Sequence, residues 1–187
     1  MNARVAGILV GFTISLAYLV TTHAETKRTD AVALKMVRYR EAVSFPIPMA
    51  WKEEDEPGVQ GTFYEDGLNT GTLRVSVMQW LGSSEEDRNR IVKSILLPGN
   101  VEALKQGVYL KKEVNDVSGG GESLKLHRWL VVLALPENTC RLVAFTHTVT
   151  AAQENDEAIV AELAIVDFAV RNAVFSYEPK LPIVDKP

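Results

Sequence analysis

Two histidines, His127 and His147, are the side chains in this sequence best suited to bind a metal ion or to transfer a proton. They fall in two long β-rich runs, Leu124–Leu135 and Cys140–Val149, which Pro136–Thr139 joins into the clearest predicted hairpin. Residues that face each other across a hairpin share one side of the sheet. The length of the loop therefore decides whether the two imidazoles meet.

A four-residue loop places His127 opposite Thr148 and His147 opposite Arg128. The two imidazoles then point to opposite sides of the sheet, and each is expected to be an ordinary strand residue. A change of one residue in the loop would instead put them side by side. With the four-residue loop, the sequence predicts neither an acid–base pair nor a metal site here.

Two other runs resemble ligand-binding motifs but lack the required context. Ser118–Gly121 is rich in glycine, but a phosphate-binding loop needs a helix directly after it, and strands are predicted on both sides. Glu53–Glu56 is acidic, but it lacks the alternating ligands and the turn glycine of a calcium loop. The motifs G-x-S-x-G, H-E-x-x-H, C-x-x-C and G-x-G-x-x-G are also absent from the sequence. We predict no catalytic residue, no metal ligand and no cofactor.

The tryptophans Trp51, Trp80 and Trp129 are weak candidates for contacts with a ligand or a protein partner. Tryptophan suits such contacts because it combines a large apolar ring with one hydrogen-bond donor. All three residues follow strand patterns, however, so burial in the core is the favoured interpretation.

The first 24 residues have the three parts of a cleavable secretory signal peptide. Arg4 supplies the positive start, Val5–Val20 is uncharged, and Thr22–Ala24 places small residues around the cleavage site. An uncleaved membrane anchor is the rival interpretation. Sixteen residues at ~1.5 Å each span about 24 Å, less than the ~30 Å hydrocarbon core of a bilayer. We expect cleavage, a mature chain that begins near Glu25, and a periplasmic or secreted location.

The composition is that of one domain with a sizeable core. The chain has 187 residues and a formal net charge of −4. It therefore has no excess of positive charge with which to bind nucleic acid or an anionic membrane. Cys140 is the only cysteine, so no internal disulfide can form, and its place at the start of an apolar run favours a buried thiol.

The spacing of apolar residues predicts an α+β domain that begins with strands. Apolar and polar residues alternate over Val37–Trp51 and again over Leu73–Trp80, as in half-buried strands. Pro46 and Pro48 cannot donate ladder hydrogen bonds, so the first strand is expected to end at a sheet edge.

Helices and loops are expected between the later strands. Ser83 and Glu86 fit a capping box that opens a helix, and Asn100–Gly107 is expected to add one or two helical turns. Asn115–Glu122 is expected to be a flexible loop. An apolar stripe with helical spacing over Ile159–Tyr177 predicts a closing helix. The predicted division is a signal peptide (1–24), a leader segment (25–36), the α+β domain (37–177) and a flexible proline-rich tail (178–187).

The segment Phe45–Pro48, followed by Trp51, resembles the F-x-I-P-x-x-W opening of PsbP-like domains. The order of predicted elements over residues 37–177 is also similar to that superfamily. The resemblance implies an α+β fold in which an antiparallel β-sheet is packed between helices, an α/β/α sandwich. It also implies binding to other proteins rather than catalysis, and it carries over no catalytic residue. Together with export, it favours the bacterial envelope branch of the DcrB type.

These observations predict an exported, non-catalytic binding protein of the bacterial cell envelope, with an immunity-type or accessory role. The expected partner is a protein or a small apolar ligand, and a membrane only if the N-terminal segment is retained. Two alternatives remain open. One is an envelope hydrolase of unknown substrate, because active sites are defined by geometry rather than by sequence order. The other is a membrane-anchored structural component.

Overall fold

The computed structural model describes residues 32–56, 60–67 and 70–178. The predicted signal peptide lies outside these residues, as do most of the leader segment and nearly all of the proline-rich tail. Residues 32–178 belong to one compact unit.

A small antiparallel sheet opens the described chain. It consists of β1 (Leu34–Tyr39), β2 (Val43–Pro48) and β10 (Val174–Phe175), with β2 in the middle. The sequence predicted one alternating strand over Val37–Trp51, and this was wrong, because a tight turn at residues 40–42 folds β1 back onto β2. Val37 pairs with Phe45 across that turn, so the odd-numbered residues of both strands lie on the same side of the small sheet. The alternation of apolar and polar residues therefore continues through the turn and gives no sign of it.

Among the described residues, seven strands form the main sheet, and neighbouring strands are antiparallel throughout. In the order in which they lie side by side, the strands are β3 (Lys52–Glu56), β4 (Gln60–Tyr64), β5 (Thr72–Leu81), β9 (Thr139–Thr150), β8 (Glu122–Ala134), β7 (Val108–Gly119) and β6 (Val101–Lys105). The β8–β9 hairpin therefore occupies the interior of the sheet, as its long apolar runs indicate.

Two predictions for the middle of the chain were wrong. The segment Asn100–Gly107 is not helical but contains β6, which Gly107, at φ +74°, turns back into β7. The segment Asn115–Glu122 is not a flexible loop, because β7 continues to Gly119 and β8 begins at Glu122. Two glycines at positive φ, Gly120 and Gly121, form the whole turn.

Two α-helices lie within the described residues, α1 (Glu85–Leu96) and α2 (Glu157–Arg171). The predicted capping box at the start of α1 is displaced by one residue. Ser84, not Ser83, is the N-cap, and its hydroxyl accepts from the backbone N–H of Asp87. Asp87, not Glu86, reaches back to accept from the N–H of Ser83. Glu85, Glu86 and Asp87 all follow Ser84. A shift of one residue therefore keeps a serine at the N-cap and an acidic residue three positions later.

The two faces of the main sheet contact different elements. On one face, α1 packs its Val92 and Leu96 against Val132 and Leu142 of the β8–β9 hairpin. On the other, Val166 and its neighbours on α2 pack with the small sheet into the larger core. The expected α+β class with a mainly antiparallel sheet is confirmed. Among the described residues, no helix is long and apolar enough to cross a membrane.

Candidate functional site

The two histidines lie directly opposite each other, contrary to the expected register. The hairpin loop has three residues, Pro136–Asn138, because the Leu135 N–H donates to the Thr139 carbonyl at 2.8 Å. Residues 137 and 138 both adopt left-handed backbone conformations, at φ +53° and +56°, which tightens the turn. This one-residue change brings His127 and His147 to the same face of the sheet.

His147 is completely buried at the centre of this arrangement. Its exposed fraction is 0%, and its Nε2 lies 3.1 Å from Oε2 of Glu162 on α2. The ring stacks in parallel with Trp51, with 6.4 Å between the ring centroids and 6° between the planes. Its other nitrogen, Nδ1, has no hydrogen-bond partner among the described residues. The imidazole is therefore held between a carboxylate and an indole.

Glu162 connects α2 to the main sheet. Its side chain is 8% exposed, and Oε2 accepts a second hydrogen bond, at 2.8 Å, from the backbone N–H of Gly71. A Cβ at position 71 would lie 2.3 Å from Nε2 of His147, so only glycine allows this approach. Glu162 was not among the residues predicted from the sequence, although a signal existed: it is the one carboxylate on the apolar stripe between Ile159 and Val166.

His127 lies in a different environment. Its Nε2 is 3.7 Å from Oε1 of Glu154, beyond hydrogen-bond distance, and has no hydrogen-bond partner among the described residues. Burial lowers the pKa of His127 below its usual value. The carboxylate of Glu154 acts in the opposite direction, while the neighbouring His147 and Lys125 add to the lowering.

The two histidines and two glutamates resemble an acid–base or metal site in composition but not in geometry. In the part of the chain that the structure describes, no group of three or more metal-ligating side chains is close enough to hold an ion. His147 and Glu162 form a carboxylate–imidazole pair of the kind that transfers protons. The imidazole is closed off from solvent, so a substrate could reach this pair only from the side of Glu162.

The three tryptophans occupy three different environments. Trp51 is buried and stacks on His147, whereas Trp80 is partly exposed near the end of β5. Trp129 is buried, and its Nε1–H donates to Asp167 of α2 at 2.8 Å. Of these candidates, Trp51 contacts one of the two facing histidines, His147, and also lines a cavity.

That cavity, hereafter the α2 cavity, has a volume of about 530 Å³ and lies along one side of α2. Its floor includes Trp51 and the carboxylate of Glu162. Further lining residues are Val32, Pro48, Ala50, Glu65, Asp66, Gly67, Thr70, Ala158, Ala161 and Ile165. Among the described lining residues, the charged side chains are all carboxylates, those of Glu65, Asp66 and Glu162.

A second cavity, hereafter the α1 groove, lies between α1 and the β6–β7–β8 part of the main sheet. Its volume is about 560 Å³. Most of its lining is apolar, with one lysine among the polar side chains; the lining residues are Asn89, Val92, Lys93, Leu96, Leu97, Val101, Tyr109 and Ala134. Leu97 is 61% exposed, so apolar surface continues from the groove to the protein surface.

A buried arginine that the sequence analysis did not single out anchors the end of the described chain. Arg141 has no exposed surface, and its guanidinium donates to the side-chain oxygen of Gln79 at 3.0 and 3.1 Å. It also donates to the carbonyls of Ser176 and Glu178, at 2.7 and 2.5 Å. Its position was the available signal, because Arg141 falls on the same face of β9 as the buried Val143.

The remaining candidates from the sequence lie on strands, at a hairpin tip or in the core. Ser118–Gly121 is the tip of the β7–β8 hairpin. Within the acidic run, Glu53 of β3 forms an ion pair with Lys35 of β1. Glu54 accepts from the hydroxyl of Tyr64 on the neighbouring strand β4. Cys140 is buried as a free thiol, and burial raises its pKa to about 11.

Comparison with known proteins gives structural neighbours only. No family model and no curated protein sequence matches the chain. A crystal structure from Bacteroides thetaiotaomicron aligns at a TM-score of 0.53 and 13% identity, over 80% of this chain and 51% of the other. The present chain thus spans about half the length of that structure.

LpqN of Mycobacterium tuberculosis, a protein involved in cell envelope biogenesis, also aligns at a TM-score of 0.53. The identity is 11%, over 72% of this chain and 83% of LpqN. A mutant of the protein Mog1 aligns at a TM-score of only 0.44, with 12% identity, over 76% of this chain and 96% of the other. At these identities, the first two alignments show a shared fold and nothing further.

Proposed function

We propose that this chain is an exported, non-catalytic binding protein of the bacterial cell envelope, and that the α1 groove holds a small apolar ligand. The proposed organisation has a cleaved signal peptide over residues 1–24, a leader over 25–36, a PsbP-like α/β/α sandwich over 37–177 and a flexible tail. The fold shared with LpqN supports the envelope assignment, as does the sequence of the first 24 residues.

The observation that carries the binding function is the α1 groove itself. Its volume falls within the ~300–1,000 Å³ that is typical of small-molecule sites, and such sites combine apolar walls with a few polar groups. Val92 and Leu96 supply the wall on α1, and Val101 supplies part of the opposite wall on β6. Lys93 lies in the lining as well, so the ligand that fits best has an apolar body and an anionic or polar end.

A fluorescent apolar anion, 1-anilinonaphthalene-8-sulfonate, tests this function. We expect saturable binding at one site and displacement by decanoate. Val101→Glu places a carboxylate in the lining and is expected to weaken binding at least about tenfold, because a ligand that covers this partly exposed position would remove the new charge from water. Val114→Glu is the matched control, because Val114 is an exposed valine on the adjacent strand and does not line the groove. Equal affinities for the two variants would contradict the proposal.

The mass of the chain recovered from the envelope fraction of an expressing bacterium tests export. A chain that begins at Glu25 supports the proposed cleavage. A chain that keeps residues 1–24 and sediments with membranes supports the anchored structural alternative. A full-length chain in the cytoplasm contradicts both.

A hydrolase remains the second candidate because His147 lies within hydrogen-bond distance of a carboxylate, Glu162. Such a pair can act as a general base when a substrate or a water molecule can reach it. A panel of chromogenic esters, phosphoesters and glycosides tests this candidate. Turnover that His147→Gln abolishes, while His127→Gln leaves it unchanged, would favour catalysis over binding.

A further inference from the structure

Among the described residues, one carboxylate oxygen of Glu162 has two hydrogen-bond partners and the other has none. Oε2 accepts from the Gly71 N–H and is within hydrogen-bond distance of His147 Nε2. Oε1 accepts no hydrogen bond from any residue that the structure describes. The side chain lines the α2 cavity, and Oε1 is not one of the buried polar atoms that lack a partner in the described chain, so Oε1 is open to the cavity. A carboxylate oxygen that is open to a cavity can accept a hydrogen bond from a ligand that enters it.

The charges around the α2 cavity select a cation as that ligand. Glu65 and Asp66 are exposed at its rim, and no lysine or arginine is among the described residues that line it. Lys52 forms an ion pair with Asp66, but its side chain is 55% exposed, and it lies outside the lining. The charged side chains in the described lining are therefore all negative, and they favour a positively charged group near Glu162.

The walls of the cavity exclude a bare metal ion and favour an organic cation. No cluster of three metal-ligating side chains exists within residues 32–56, 60–67 and 70–178. Ala158, Ala161 and Ile165, which recur at helical spacing along α2, form an apolar wall. Trp51 adds an indole to the floor, and aromatic rings attract cations. The ligand must therefore carry an apolar body as well as a charge.

The arrangement of acceptors distinguishes an ammonium group from a guanidinium group. A guanidinium group binds best when both oxygens of one carboxylate accept in parallel. Oε2 of Glu162 already has two partners, so only Oε1 is available, and a compact ammonium group suits a single acceptor. We propose that the α2 cavity binds a primary alkylammonium group, with the ammonium on Glu162 and the alkyl chain along Ala161 and Ile165.

Hexylammonium is the probe that tests this proposal. At neutral pH a primary amine is protonated, since its pKa is about 10.4. We expect saturable binding in calorimetry and in the nuclear magnetic resonance signals of the Trp51 indole and of α2. Hexanol and hexanoate have the same alkyl chain without the positive charge, and each is expected to bind at least about tenfold more weakly, as for loss of one charge-assisted hydrogen bond. Equal binding of hexanol and hexylammonium would overturn the proposal.

Two alanines on α2 provide a matched pair of variants. Both Ala161 and Ala164 are exposed helical residues, but only Ala161 lines the cavity. Ala161→Leu is expected to weaken hexylammonium binding at least about tenfold by filling the cavity, whereas Ala164→Leu should stay within about twofold. Unchanged binding in Ala161→Leu would show that the probe binds elsewhere. Neither substitution alters a core residue, so the test does not depend on a variant of Glu162 that folds.

This proposal and the proposed function can fail separately. Val101→Glu in the α1 groove is expected to leave hexylammonium binding unchanged, because Val101 does not line the α2 cavity. Loss of hexylammonium binding in that variant would show that the two cavities are not independent sites, and it would overturn the assignment of the ammonium to Glu162.

Discussion

The carboxylate of Glu162 binds the N–H of Gly71, a residue 91 positions earlier in the chain, at 2.8 Å. This hydrogen bond ties α2 to the beginning of β5, and the same oxygen meets the buried ring of His147. Glu162→Ala would leave the amide and the imidazole without their partner. We expect a loss of about 2–4 kcal/mol in the free energy of unfolding, and a smaller loss for Glu162→Gln, which can still accept from Gly71.

Urea unfolding measures both losses, and Glu122→Ala, at the exposed tip of a hairpin, is the control. If Glu162→Ala and Glu122→Ala have the same free energy of unfolding, the buried hydrogen bonds of Glu162 contribute nothing to stability.

Gly71→Ala is expected to be destabilising by about 2–4 kcal/mol. The added Cβ would lie 2.3 Å from Nε2 of His147, which is fully buried and cannot move away without displacing Trp51. Gly67→Ala is the matched control, because among the described residues its Cβ would meet a methyl group of Thr70 at 3.3 Å and no backbone or buried ring. Thermal unfolding of the two variants should differ by several degrees. A Gly71→Ala variant as stable as Gly67→Ala would disprove the close approach.

The partly buried His127 predicts that stability falls as the pH is lowered. Because burial depresses its pKa in the folded state, the unfolded chain binds a proton more readily. The stability contributed by neutral His127 is complete above the unfolded pKa of about 6.5 and is lost as the pH falls toward the lower folded pKa. Glu154 opposes this effect, whereas His147 and Lys125, which also face the ring, strengthen it.

Urea midpoints measured between about pH 7.5 and 5 test this prediction. We expect the wild-type midpoint to decline more steeply below about pH 6.5 than that of His127→Gln. Parallel profiles would mean that His127 is protonated equally easily in the folded and unfolded chains.

Arg141→Met is expected to release the end of the described chain. The substitution removes the donors to the carbonyls of Ser176 and Glu178 and leaves Gln79 without its guanidinium partner. We expect about 2–4 kcal/mol of destabilisation and faster cleavage by chymotrypsin after Tyr177, which is 43% exposed. Arg128→Met, at a side chain that is 40% exposed, is the control. If the protease cuts both variants at the same rate, the anchoring role of Arg141 is wrong.

The thiol of Cys140 is expected to be unreactive in the folded protein. Its burial raises the pKa to about 11, so at pH 8 only about one thiol in a thousand is ionised. Ellman's reagent should therefore react with native protein far more slowly than with protein in urea. Rapid modification of the native protein would contradict the burial of this residue.

The class of fold could be predicted from the sequence, because alternation and helical spacing report which side of an element is buried. The register of the central hairpin could not. It depends on a left-handed conformation at Glu137, which that residue type rarely adopts, next to Asn138, which adopts it readily. One residue of difference in this loop separates two isolated histidines from a facing pair.

The candidate sites were less predictable than the fold. Trp51 follows a strand pattern, and its contact with His147 joins residues nearly a hundred positions apart, a separation that local spacing does not report. The segment containing β6 is short enough that a helical turn and a strand show the same apolar pattern. Glu162 and Arg141 shared one detectable signal, a charged residue at a position that the periodicity assigns to the core.

The tight turn at Gly120 and Gly121 has a practical consequence. A Cβ built on either glycine meets no atom within 4 Å, and neither residue lines a cavity described above. This hairpin tip is thus a site where a short epitope tag can be inserted with little effect on the domain. A protease would be added first to intact cells and then to cells whose outer layer has been permeabilised. It would cleave the tag only in the treatment that gives the protease access to the tag. The tip would then report the compartment in which the folded domain resides.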